Sequence, residues 1–344
     1  MKSYSQFLSI LIVLAMAFGI AQTATAQEDM RAEAVTLYNE AQDLAAANQL
    51  EDAIETYREA LQVANENGLE DISERIVRQL PRVYYSRASR AFQQYQQERS
   101  IEAADRAIAR FNDAREAGEE FNDEQVVQQT TRALPQLHYL KSTIQFRAED
   151  YDAAQASLDR ALELNPNYPT AYYQRALVHR RQNPAEIDRT VELFDRAIEL
   201  AEQLGDDRTL GNARSSAAEE LIFRAVNLKD EGRYNRAIEL LEMVERYNPE
   251  SADAHYRLSE ISNTRGNFQR AIEHANRALE FESGGVTDRA KIYFELGTAY
   301  KGLNQVSNAC SAFENANYGD FSEPASHELQ FELECEGHSA SGRR

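Results

Sequence analysis

Two stretches of this chain, D-Y-D-A-A-Q-A-S-L-D-R-A-L-E-L-N-P-N (150–167) and R-Y-N-R-A-I-E-L-L-E-M-V-E-R-Y-N-P-E (233–250), share one spelling. A small residue, Ala154 or Ala237, is followed four positions on by a large apolar one, Leu158 or Leu241, and each phrase closes on Asn-Pro. L-E-D-A-I-E-T-Y-R-E-A-L-Q-V (50–63) repeats the small–large pair at Ala53 and Tyr57, and N-F-Q-R-A-I-E-H-A-N-R-A-L-E-F (267–281) is a variant with Ala271 and Ala275. A-C-S-A-F-E-N-A (309–316) follows an L-G-x-x-Y at Leu296, Gly297 and Tyr300. A phrase that recurs at related spacing constrains a fold more tightly than any single motif.

Apolar residues at i, i+3, i+4 and i+7 give each segment one buried helical stripe. A small side chain where two helices cross lets their axes approach, and the large residue four positions on fills the gap beside it. One such pair cannot bury both faces alone, so the pairs must stack. The composition agrees: Gly and Pro are scarce, Trp is absent, and no long stretch alternates β-branched residues.

These residues resemble the tetratricopeptide repeat (TPR), a 34-residue antiparallel helix pair. The resemblance implies an all-α fold, a right-handed superhelical solenoid of about seven stacked pairs over 27–318, some with extended or inserted helices. First helices are expected near 34–47, 81–97, 135–148, 169–182, 218–231, 252–265 and 290–303, with a C-terminal capping helix at 319–337 and a disordered tail at 338–344. The small crossing residues are Ala41, Ala88, Ser142, Ala176, Ala225, Ser259 and Gly297. Those opening the second helices are Ala53, Ala104, Ala154, Thr190, Ala237, Ala271 and Ala309.

The spacing is irregular, with extra segments at 66–80, 119–134 and 203–217, introduced by Gly68, Gly118 and Gly205. Leu80-Pro81 and Leu134-Pro135 end two of them. Proline lacks an N–H and suits a first helical turn, so helices are expected to start at both prolines.

Lys2, the apolar run Phe7–Ile20 and the small-x-small Ala24-Thr25-Ala26 have the form of a cleavable export signal over 1–26. The run is shorter than the roughly 20 apolar residues of a membrane span. Export, to a bacterial periplasm or beyond, with no membrane insertion after cleavage, is the expectation. Removing residues 1–26, whose one charged side chain is Lys2, takes the net charge from −20 to −21. Such a field repels phosphate backbones and argues against nucleic acid as a partner.

An exported chain with two cysteines is expected to oxidise them. A Cys310–Cys335 bridge would staple the terminal helix to the last pair. Closing a loop of about 26 residues contributes roughly 3.5 kcal/mol in the chain-entropy account.

The fifth position of each first helix reads Tyr38, Tyr85, Tyr139, Tyr173, Ile222, Tyr256 and Phe294. The TPR resemblance implies that this column lines the inner groove, where Tyr offers large area and a polar tip. It implies the same face for Arg147, Arg180, Arg181, Lys229 and Lys301, cations suited to an acidic peptide or a terminal carboxylate. Packing between neighbouring helices explains the tyrosines equally well, and a solvated face the cations.

The six histidines show no metal-ligand spacing, and His138 and His255 are expected as packed core residues. There is no G-x-S-x-G and no phosphate loop, so neither catalysis nor a cofactor or metal is expected. Glu119-Glu120 and Glu219-Glu220 read as solvated helical charge. The function expected is a non-catalytic scaffold or adaptor binding a protein or peptide partner, as part of a cell-envelope complex. The alternative is an accessory subunit of an envelope enzyme, or a superhelix binding cell-wall glycans.

Overall fold

The computed structural model describes residues 27–337; the expected export signal (1–26) and tail (338–344) lie outside them. Among the described residues every regular element is helical. They fall into two compact units, one ending at Gln182 and the other beginning at Asn183.

The first unit contains α1 (27–46), α2 (Leu50–Glu66), α3 (Glu70–Glu98), α4 (Ile101–Glu120), α5 (Glu124–Arg147), α6 (Tyr151–Leu164) and α7 (Pro169–Gln182). From α2 onward each helix packs on the next, and α3, α5 and α7 also touch in succession. The second unit contains α8 (Ile187–Leu204), α9 (Asp207–Asp230), α10 (Tyr234–Met243), α11 (Ala252–Thr264), α12 (Phe268–Phe281), α13 (Val286–Gly302) and α14 (Val306–Ala316). Its helices pack in chain order, with α9, α11 and α13 in succession. Contact with the next helix and with the next but one is the signature of stacked antiparallel pairs.

The small residues sit where the repeat needs them. Ala41, Ala88, Ser142, Ala176, Ala225 and Ser259 are all 0% exposed, as are Ala53, Ala104, Ala154, Ala237, Ala271 and Ala309. At Gly297 a Cβ would lie 2.9 Å from the Phe313 ring, so this crossing has no room for even a methyl group. Ser100, Asp123, Asp150, Asp206 and Ser251 accept hydrogen bonds from the backbone N–H groups of Ala103, Val126, Ala153, Thr209 and Ala254, capping α4, α5, α6, α9 and α11.

The prolines do not start helices. Pro81 lies inside α3 and Pro135 inside α5, so most of 66–80 and 119–134 forms the first half of a longer helix. Proline in a helix interior costs about 3 kcal/mol. Here the apolar stripe continues through it: Ile72, Ile76 and Leu80 are 3%, 0% and 0% exposed, and Val126, Leu134 and Leu137 are no more than 2% exposed. Each buried aliphatic contributes about 1.5–3 kcal/mol, so packing outweighs the lost hydrogen bond. Gly118 is likewise no breaker but a helical residue of α4 against Val127; Asn122 (φ 57°) makes the turn.

The expected capping helix at 319–337 is three short segments instead: a 3-10 turn (Gly319–Phe321), α15 (Ser322–His327) and a π turn (Glu328–Glu332). Ala325 and Leu329, both 0% exposed, seal the end of the α13–α14 pair. Cys310 and Cys335 are joined in a disulfide, Cα to Cα 5.9 Å, and Lys301 Nζ reaches Glu328 Oε2 at 2.6 Å from the other side.

Candidate functional site

The fifth-position aromatic column packs mainly on its own neighbours. Tyr38 meets Tyr57 edge-on at 5.9 Å, Tyr85 meets Phe111 at 6.0 Å, and Phe294 meets Phe313 at 5.4 Å. In each case the ring rests on a buried aromatic of the paired second helix. Tyr139 lies 5.6 Å from Tyr168, Tyr173 is half-buried, and Tyr256 is only 7% exposed beneath Arg257 and Lys291. Burial pushes the Tyr256 hydroxyl up to about 12. Tyr38, Tyr85 and Phe294 therefore form part of the seam between first and second helices, and Tyr256 is covered from the next first helix.

The basic residues divide into two kinds. In the second unit Lys229 of α9 is held by Glu260 of α11 at 2.6 Å, and Arg257 donates to Glu260 at 3.3 Å. Asn263 Nδ2 donates to Glu295 Oε2 of α13 at 2.7 Å, and burial holds that carboxyl above its usual range. Lys301 continues the ladder to Glu328. Lys229–Glu260 and Asn263–Glu295 stitch successive first helices together, and Lys301–Glu328 ties the last of them to the terminal segment. Glu220, expected as solvated, belongs to the same helices: it is 5% exposed and accepts from Arg224 Nε at 2.6 Å.

Arg147, at the end of α5, is exposed and has no carboxylate partner among the described residues. Arg181 is exposed at the end of α7, and Arg180 beside it is half-buried. Arg147 opens onto a cleft of about 710 Å³ between α3 and α5. Phe92 and Tyr95 of α3 form one wall, their rings stacked at 6.0 Å and 18°, and Leu140 and Ile144 of α5 form the other. Gln96, Gln136 and Thr143 supply uncharged polar groups, and Arg99 stands on the rim with Arg147. Burial pushes the Tyr95 hydroxyl up, and the positive charges of Arg99 and Arg147 both act to pull it back. A hollow of about 800 Å³ at the α4–α5 turn is larger, but its lining, including Glu119, Asn122, Glu124 and Gln128, has neither ring nor cation.

Of the cleft, the sequence indicated only Arg147. Arg99 escaped because the expected first helix ends at residue 97, and Phe92 and Tyr95 because they lie in that helix but outside the fifth-position column that holds Tyr85. A signal did exist: helix-ending positions at 48, 122 and 304 are Asn and those at 68, 205, 232 and 266 are Gly, all left-handed, whereas 99 is Arg with φ 48° and 149 is Glu with φ 61°. A long cation in that conformation is out of place. His138 and His255 are packed, as expected: burial lowers His138 to about 4, and His255 faces His274, Nδ1 to Nδ1 at 3.4 Å, whereas His327 is exposed.

Residues 224–285 and 290–318 match models of the tetratricopeptide repeat, and 144–183 matches a TPR repeat model. The chain is a tetratricopeptide-repeat protein. No protein with a curated description matches it. Solved structures similar to this TPR protein include MamA, at 16% identity over 57% of this chain and 93% of that one, with a TM-score of 0.35. Another is YrrB, described as a TPR protein with an unusual peptide-binding site, at 16% identity over 54% and 86% with a TM-score of 0.34. A third is a thermophilic TPR protein of Thermus thermophilus, at 20% identity over 57% and 98% with a TM-score of 0.27.

Proposed function

We propose that this TPR protein is a non-catalytic scaffold that captures an extended segment of a partner protein through the faces of its first helices. The observation that carries the reading is the α3–α5 cleft, with rings and aliphatic side chains inside and unpaired cations at the rim. TPR repeats support a protein-interaction role in general. The Phe7–Ile20 run and Ala24-Thr25-Ala26 support placing that role outside the cytoplasm, as an adaptor in a bacterial envelope complex. The face of the second unit is less suited to capture, because its ion pairs already satisfy one another.

The test is site-specific photocrosslinking in living cells, with the label at Gln96 or Gln136 in the cleft and a control at the exposed Glu59 of α2. A discrete protein adduct from the cleft positions and none from position 59 is expected. Identical adduct patterns from all three positions would overturn the reading.

A further inference from the structure

We propose that the α3–α5 cleft reads a carboxylate side chain, Glu or Asp, set beside a bulky apolar residue in the captured segment. This rests on the capture reading above and names the chemistry that the site selects.

Three observations converge on it. Arg99 and Arg147 sit on one cleft and have no acidic partner among the described residues. The carboxylates of Glu98 and Asp150, close to them in the chain, are committed elsewhere, Glu98 to Arg106 at 2.6 Å and Asp150 to the N-terminus of α6. In a chain that neutralises Lys229, Arg257 and Lys301 on the same kind of helix face, two bare guanidinium groups form a pair of free carboxylate forks.

The floor between them is apolar. The Phe92–Tyr95 stack and the Leu140 and Ile144 side chains demand a large hydrophobic group next to the anion, which excludes a free inorganic ion as the natural occupant. The net charge of −20 adds a filter. A polyanion is repelled by the whole surface, whereas one or two carboxylates are repelled little beyond the Debye length of about 8 Å and gain the local pair.

The residue identity at the α3 terminus points the same way. Arg99 occupies a left-handed position (φ 48°) that the chain gives mostly to Asn or Gly. Glu149 and Glu334 are the other charged residues held so among the described residues, and of the three Arg99 alone is a cation. Its backbone is held where a shorter residue would be easier, and what Arg adds there is a charge at the cleft rim.

The purified full-length protein would be passed over a random hexapeptide array with acidic, amide and basic residues equally represented. The bound pool is expected to be enriched in Glu or Asp adjacent to Leu, Ile, Phe or Tyr. In the double variant R99Q/R147Q that enrichment is expected to vanish, with affinity for the best peptide lowered about tenfold or more. Circular dichroism of the double variant should be unchanged, because both side chains are exposed. Binding without acidic preference, or an acidic preference that survives in R99Q/R147Q, overturns the carboxylate assignment and leaves capture standing. No peptide bound at all, or binding unaltered in Tyr95→Ala/Leu140→Ala, overturns both.

Discussion

Lys229 Nζ of α9 lies 2.6 Å from Glu260 Oε1 of α11, and the two side chains are 19% and 22% exposed. This pair bridges two first helices within a shared face, so it carries more than a surface ion pair. Lys229→Met is expected to lower the unfolding free energy by about 1–2 kcal/mol in urea titration. Arg160→Met, which breaks an exposed Arg160–Glu163 pair, is expected to change it by less than about 0.5 kcal/mol. Equal effects from the two variants would show that the Lys229–Glu260 bridge carries no more than an exposed surface pair.

Arg99 offers a test in which stability and function move in opposite directions. A non-glycine residue other than Asn or Asp in the left-handed region costs about 1 kcal/mol. Arg99→Asn is therefore expected to raise the unfolding free energy by up to about 1 kcal/mol while weakening capture of an acidic–apolar peptide. A residue kept for packing alone would lose stability on replacement. Calorimetric melting and peptide titration on the same preparation check both signs.

The helix pairing was legible because it depends on a local code: a small residue, a large one four on, and an apolar stripe. Ala88 and Ser142 sit at buried crossings as that code requires. The prolines misled because their local cost is opposed by contacts the sequence does not show, those of Ile72, Ile76 and Leu80 against neighbouring helices. The cleft was half-legible for a similar reason. Arg147 falls on a repeat position, but whether a cation is bare or paired depends on which carboxylate the next helix presents. Glu260 does so for Lys229, and no residue among those described does so for Arg147.

His255 and His274 give the second unit an acid limit. Burial, with His255 and Arg270 adding positive charge, lowers His274 to about 4, and burial together with Arg277 lowers His255. Glu245 and Glu280 act against the shift at His255. Each imidazole is thus favoured neutral in the fold, while in the unfolded chain it takes a proton near pH 6.5. The unfolded state binds more protons between pH 6.5 and about 4, so stability is full above that window and falls through it. The loss should be on the order of 2 kcal/mol. The variant His274→Leu, which keeps an apolar contact at this position, should flatten the pH dependence of the melting midpoint. A slope unchanged by this variant would place the sensitivity elsewhere.

Glu295 predicts the opposite sign. Burial raises its carboxyl above the ordinary value, with Glu260 adding to the shift and the Asn263 hydrogen bond opposing it. A carboxyl with a raised folded pKa binds its proton more tightly in the native state, so stability falls as pH climbs through the window above the unfolded value. Glu295→Gln keeps an oxygen for Asn263 and removes the buried charge. It is expected to raise the melting temperature at pH 7 and to have little effect near pH 4, which parallel melts at the two pH values would show.

The terminal seal depends on the disulfide and on burial together. Cys335 is 4% exposed, and its N–H donates to the Leu329 carbonyl at 2.9 Å, so the exit of the π turn is fixed by the backbone as well as by the bridge. Ala325 and Leu329 provide little area for so short a segment, and Lys301 adds one partly exposed anchor. Replacing both cysteines, Cys310→Ser with Cys335→Ser, is expected to lower the stability of the second unit by about 2–4 kcal/mol. Hydrogen exchange should locate the loss. Amides of Ser322–Glu332 should exchange markedly faster, while those of α3 and α5 in the other unit keep their protection. If the terminal amides stayed as protected as before, the apolar contacts alone would hold the seal and the bridge would be dispensable.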